Sequence, residues 1–137
     1  LEATLNPARP AKRRPRILIV DDDPIVVKAM RYLLEKADFE PIGCLTADDA
    51  MSKVASGIDA AILDIHLPDQ TGLWLSQQIR GVIGPDRPII ILSGDNSMET
   101  IRSLPNAGAT YFFSKPVNQS VLIEQLKEWT VNVRSAV

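Results

Sequence analysis

Short apolar runs punctuate this chain at RILIV (16–20), PIGCL (41–45), DAAIL (59–63), PIIIL (88–92) and TYFFS (110–114), with helical periodicity between them. A strand with one wet face alternates polar and apolar residues. Most of these runs are continuous, so they point to strands covered on both faces, as in a parallel sheet. Residues 24–37 place Val26, Met30, Leu33, Leu34 and Ala37 on one helical face. Pro24 suits the first helical position, and Asp23 reads as its cap. Thr46 followed by Asp49 resembles a capping box opening a helix at about 47–55. A third helix at about 71–81 aligns Leu75, Ile79 and Val82, and a fourth at about 97–104 is cut short by Pro105. A fifth begins after Asn118 and turns Leu122, Leu126 and Trp129 inward. Trp74 and Met98 read as core or half-buried packing. The economical α/β fold is a (βα)5 arrangement, a doubly wound five-stranded parallel sheet wrapped by helices on both faces.

In such a sheet the carboxyl ends of the strands share one edge, so residues distant in sequence meet in one crevice. ILIV runs into Asp21-Asp22, AIL into Asp64, IIIL into Ser93, and YFFS into Lys115. Taken singly, an Asp at a strand end is a helix cap, the lysine a surface residue and the serine a turn former. Their joint occurrence on one edge favours a site. Like charges about 4 Å apart repel by about 4 kcal/mol at an effective dielectric near 20, so three converging carboxylates call for a cation. Oxygen-only ligation suits Mg2+ or Mn2+ better than zinc, which prefers His and Cys. A divalent ion, a carboxylate nucleophile, a lysine and a hydroxyl together suit phosphoryl transfer.

Composition removes other classes. No apolar run approaches the roughly 20 residues that span a bilayer, so the expected setting is cytoplasmic. Cys44 is the only cysteine, which excludes an internal disulfide and four-cysteine metal frameworks and leaves a buried thiol. The net charge of −2 is uneven: residues 1–16 carry Arg9, Lys12, Arg13, Arg14 and Arg16 against Glu2, so the remainder is acidic. A basic, proline-punctuated arm can touch nucleic acid, but a solvated linker is the commoner use. Absence of an initial Met suggests an excised piece.

The chain resembles the receiver domain of two-component response regulators from about Arg16 to about Thr130. The resemblance rests on ILIVDDDP (17–24), LDIHLPDQTG (63–72), ILSG (91–94) and GATYFFSKP (108–116), in that order and with helices between. It implies a flavodoxin-like strand order 2-1-3-4-5. It also implies that Asp64 is phosphorylated from a phosphohistidine, on a sensor histidine kinase or a histidine phosphotransfer protein. Asp22, Asp64 and the backbone carbonyl of His66 would bind Mg2+, with Asp21 acting largely through water. Ser93 and Lys115 would hold the phosphoryl group, Phe112 would follow Ser93, and the fourth helix, fifth strand and fifth helix would carry the switched surface. Pro116 would follow a cis peptide. His66 and Asp95, each two residues beyond a site residue, stand where they could tune dephosphorylation. Neither membrane nor nucleic-acid binding is expected; a dimer is possible, although Pro105 shortens a helix that many relatives use for it. The expected organisation is a disordered basic tail or linker at 1–15, the receiver domain at 16–131 and a C-terminal tail at 132–137.

Such a chain is a phosphoacceptor rather than an enzyme. Two rivals share some of its features. A phosphatase of the haloacid dehalogenase type would use Asp21 as nucleophile and Asp23 as acid, but beyond Lys115 it lacks the required acidic pair, having only Glu124 and Glu128 in a helix. A pseudo-receiver would keep the fold without phosphorylation, against which the intact Asp21, Asp22, Asp64, Ser93 and Lys115 argue. A dinucleotide-binding oxidoreductase lacks its glycine motif after the first strand.

Overall fold

Strands β1 (Arg16–Val20), β2 (Glu40–Cys44), β3 (Ala60–Asp64), β4 (Ile89–Ser93) and β5 (Tyr111–Ser114) alternate with five helices. These are α1 (Pro24–Lys36), α2 (Ala47–Val54), α3 (Gly72–Ile83), α4 (Met98–Ser103) and α5 (Gln119–Trp129). The computed structural model describes residues 13–94 and 98–131. Asp95 and the segments 1–12 and 132–137 lie outside the described residues. The strands form one parallel sheet in the order β2-β1-β3-β4-β5. That is the fold class the sequence implies.

Continuous apolar runs arise because successive side chains serve two cores. Leu18, Val20, Ala61, Leu63, Ile89 and Ile91 pack against α2 and α3, whose Val54, Leu75 and Ile79 join the same cluster. Their strand neighbours Ile17, Ile19, Ala60, Ile62, Ile90 and Leu92 pack with Met30 and Leu34 of α1 and Leu122 and Leu126 of α5. Each valine, leucine or isoleucine among them contributes about 1.5–3 kcal/mol when fully buried. No charged residue interrupts either layer between the strand ends.

Local signals set the helix starts. The side chains of Asp23, Thr46, Thr71 and Asn118 each accept a backbone N–H from the first turn of α1, α2, α3 and α5. Three packing expectations are corrected. Val82 is 52% exposed, because α3 buries Ser76 with Leu75 and Ile79 and so turns a different face inward. Trp74, read as core or half-buried, is 37% exposed, whereas Trp129 is half-buried against the core and stacks on Tyr111 with ring centroids 3.7 Å apart. Met98 is 61% exposed, since the side chains of the six-residue α4 find no buried position. Cys44 is buried, and desolvation pushes its thiol up to about 12, so it stays protonated.

The foot of the sheet is closed by charge. Arg13 donates two hydrogen bonds to Asp59, at 2.7 and 2.8 Å, and the Arg16 amide donates a third at 2.8 Å. Pro15 accepts from the Glu40 amide at 2.9 Å, so ordered contacts begin ahead of Arg16. Burial alone would raise the Asp59 carboxyl, but Arg13, the Arg16 amide and the charge of Arg87 outweigh it and hold it below its ordinary value. Stability from such a group is present above the unfolded pKa, near 3.9, and is lost as pH falls through the lower folded value. Asp59→Asn is expected to cost about 1–3 kcal/mol at neutral pH. Urea unfolding from pH 7 downward should show a constant gap from wild type that closes only below about pH 4.

Candidate functional site

Every strand ends on the same edge, and the polar residues begin where the two cores stop. Asp21, one residue beyond β1, is buried, with its N–H donating to the Cys44 carbonyl at 3.2 Å. Its Oδ1 accepts the Asp23 amide at 3.0 Å, which turns the chain into α1. Asp22 faces solvent beside it. Asp64 closes β3 and is buried, and Ser93 closes β4 and is fully buried. Lys115 follows β5 directly, its N–H donating to the Ser93 carbonyl at 2.8 Å. The Lys115–Pro116 peptide is cis.

Lys115 joins the acids. Its Nζ lies 3.3 Å from Asp21 Oδ2 and 3.2 Å from Asp64 Oδ1. One carboxylate oxygen from each of Asp21, Asp22 and Asp64 lies within 4.8 Å of the others. Two of these acids, Asp21 and Asp64, share the ammonium, and Asp22 lies beside them. Burial raises the Asp21 carboxyl despite the opposing pull of the Asp23 amide and Lys115. Burial works to lower Lys115, but the charges of Asp21 and Asp64 prevail and its ammonium is raised. The donors are hard oxygens with excess negative charge and one exposed member, which fits a small divalent cation that keeps some of its water.

Two further residues reach the edge through the sheet. Ile91 registers with Phe112 and Ser93 with Ser114. Because side chains alternate, Phe112 shares a face with Ile91 and Ser93, where it is half-buried against the core under α2 and α3. His66 stands two residues past Asp64 with its side chain exposed. Its backbone pairs with Thr71 in an isolated antiparallel bridge.

The loop after Asp64 is also shaped by close backbone contact. Gly72 donates its N–H to the Ile65 carbonyl at 2.8 Å. A Cβ on Gly72 would lie 2.3 Å from the Asp64 carbonyl oxygen and 2.8 Å from Ile65 Cα. Sequence reading assigned no role to Asp69. Its carboxylate accepts the amides of Ala47 and Asp48, both at 3.0 Å, tying this loop to α2. No local periodicity announces a bond across 22 residues.

Residues 17–127 match the family model described as the response regulator receiver domain. The sensory/regulatory protein RpfC of Xanthomonas campestris is 32% identical over 126 residues, covering 89% of this chain and 17% of that protein. The two-component response regulator PprB of Pseudomonas aeruginosa is 30% identical, covering 87% of this chain and 45% of that protein. The chain thus spans less than half the length of these curated relatives. A CheY-like receiver domain protein of Methanospirillum hungatei superposes with a TM-score of 0.81 at 32% identity, over 88% of this chain and 96% of that one. The receiver domain of an HD domain-containing protein of Pseudomonas fluorescens gives 0.80 at 28%, over 90% and 99%.

The Gly72 contact makes a sharp test of the site's scaffold. Gly72→Ala should destabilise the fold by about 1–3 kcal/mol, since the obstructing atoms are backbone. Gly81 lies in the same helix with nothing within 4 Å of its virtual Cβ. There, Gly81→Ala should stabilise by up to about 1 kcal/mol in the same urea unfolding assay.

Proposed function

Because the chain belongs to the response regulator receiver domain family, we propose that Asp64 accepts a phosphoryl group from a phosphohistidine on a sensor histidine kinase or histidine phosphotransfer protein. The observation that carries this reading is the meeting of Asp21, Asp22, Asp64 and Lys115 at one strand edge. Receiver domains act as phosphoacceptors, not as turnover enzymes, and the cytoplasm is the setting that goes with this role.

In the proposed step a carboxylate oxygen of Asp64 attacks phosphorus as the bond from phosphorus to the imidazole nitrogen breaks, and that electron pair leaves with the imidazole. No protein base is needed, because a carboxylate is already an anion at neutral pH. Asp22, Asp64 and the backbone carbonyl of His66 would hold Mg2+, or Mn2+, which when bound supplies positive charge against the transferring group. Asp21 fits a role through water: its Oδ1 already accepts from Asp23 and its Oδ2 faces Lys115. Lys115 sits where its ammonium can exchange carboxylate partners for a phosphoryl oxygen.

Ser93 and Phe112 carry the response in this reading. The Ser93 hydroxyl bonds the phosphoryl group and Phe112, on the same sheet face, follows into the vacated space. Without a phenol, Phe112 signals by packing alone. The surface so altered comprises α4, β5 and α5, where Met98, Ile101 and Tyr111 are exposed. A 440 Å3 groove lined by Val26, Met30, Leu92, Lys115, Pro116 and Val117 opens beside the lysine. The exposed imidazole of His66 is assigned to controlling water access, and hence phosphoryl lifetime. Against the phosphatase alternative, Asp23 is engaged as the cap of α1 rather than as an acid.

The chain incubated with acetyl phosphate and Mg2+ should gain one labile phosphoryl group, mapped to Asp64 by mass spectrometry. Asp64→Ala should gain none. An adduct elsewhere, or none on wild type, overturns the proposal, and steady phosphate release lost in Asp21→Asn would support the phosphatase. Lys115→Ala should still be phosphorylated while its amide shifts in β4 and β5 respond weakly. A full response would remove Lys115 from the switch.

A further inference from the structure

The loop between β3 and α3 is closed at its base and tied at its tip. The base consists of the Gly72 to Ile65 bond and the His66–Thr71 bridge. Leu67 packs against the core, but beyond it Pro68, Asp69 and Gln70 are exposed, so packing holds one residue of the loop and not its tip. Asp69 holds the tip. Its Oδ1 accepts from Ala47 and its Oδ2 from Asp48, the first two amides of α2, while Thr46 takes the third from Asp49 at 3.0 Å. These bonds hold the Asp69 carboxyl below its ordinary value, so both oxygens accept across the neutral range. An α2 already capped by its own threonine thus spends two amides on a neighbouring loop.

We propose that Asp69 is a positioning residue for the metal centre: by strapping the loop to α2, it fixes the His66 backbone carbonyl toward the cation shared by Asp22 and Asp64. The inference rests on the reading of that carbonyl as a ligand. A carbonyl is a neutral dipole, so its attraction for a cation depends on where it points. Freed from the strap, the loop keeps only its base and the packing of Leu67, the orientation of the His66 carbonyl is less closely fixed, and binding weakens. Asp69 touches neither metal nor phosphoryl group in this account. It acts as an outer partner that orients a ligand, and removal of such partners typically weakens binding by about tenfold or more.

The test titrates Mg2+ into the whole chain, following amide chemical shifts, and measures amide hydrogen exchange of residues 47, 48 and 66–71 without metal. Asp69→Ala should weaken Mg2+ binding by about tenfold and speed exchange in both segments. Asp69→Asn, whose single amide oxygen still accepts one bond, should fall between it and wild type. If Asp69→Ala binds Mg2+ within twofold of wild type while the α2 amides exchange faster, Asp69 is only a helix cap and the proposal fails. Equal weakening by Ala and Asn would assign the effect to lost charge and overturn it likewise. Asp22→Asn identifies a deeper failure: were it to bind Mg2+ as wild type does, the metal-site reading itself would fall.

Discussion

Covering both faces of a parallel sheet leaves polar chemistry only one place to go. With the interior residues of β1, β3 and β4 wholly apolar and buried, ionisable groups can stand only at strand ends, and parallel direction gathers all carboxyl ends on one edge. The opposite edge meets the same constraint. There Asp59 is matched by Arg13 and the Arg16 amide, so its charge is satisfied within the protein. At the carboxyl edge, among the described residues, three carboxylates cluster and two of them pair with the ammonium of Lys115.

That imbalance separates the two edges in function. A charge cluster satisfied from within stabilises a fold, whereas one left short of positive charge is a standing affinity for a cation. Burial sharpens it, since Asp21 must be kept out of water and its carboxyl is raised although Lys115 lies beside it. Lys115 is raised as well, because it faces two acids at once. Placing a phosphoryl group on Asp64 would change what the ammonium faces. The conformational equilibrium can then shift only by the difference in interaction between its two states.

The parallel sheet and the gathering of Asp21, Asp22, Asp64, Ser93 and Lys115 were legible because each rests on a short-range signal, whereas the strand order came only from the family resemblance. Apolar runs mark strands, capping residues mark helix starts, and a polar residue closing an apolar run marks the edge. What escaped depends on contacts between distant elements. Arg13 looked like part of a basic tail because its partner, Asp59, lies 46 residues away. Asp69, part of the LDIHLPDQTG motif, received no role of its own because its partners are the amides of α2. Val82 and Trp74 were misjudged differently: helical spacing identifies an apolar stripe but not how far the covering neighbours extend. The Tyr111–Trp129 stack joins an edge strand to the last turn of α5, where cover is incomplete.

The burial pattern also argues for the direction in which a change at Asp64 travels. On one side Asp64 is flanked by β1 and the Asp69 strap to α2, whose Ala47, Ala50 and Val54 are buried. On the other lie β4, the edge strand β5 with its half-buried Phe112, and α4 with no buried side chain. Local opening costs least where few apolar groups lose their contacts. A perturbation that strained both sides equally would, in the proposed reading, be relieved more cheaply on the side of α4 and β5. The proposed path from Ser93 to Phe112 accords with that difference in packing: Ser93 is fully buried, and Phe112, half-buried on the same sheet face, is the less confined of the two.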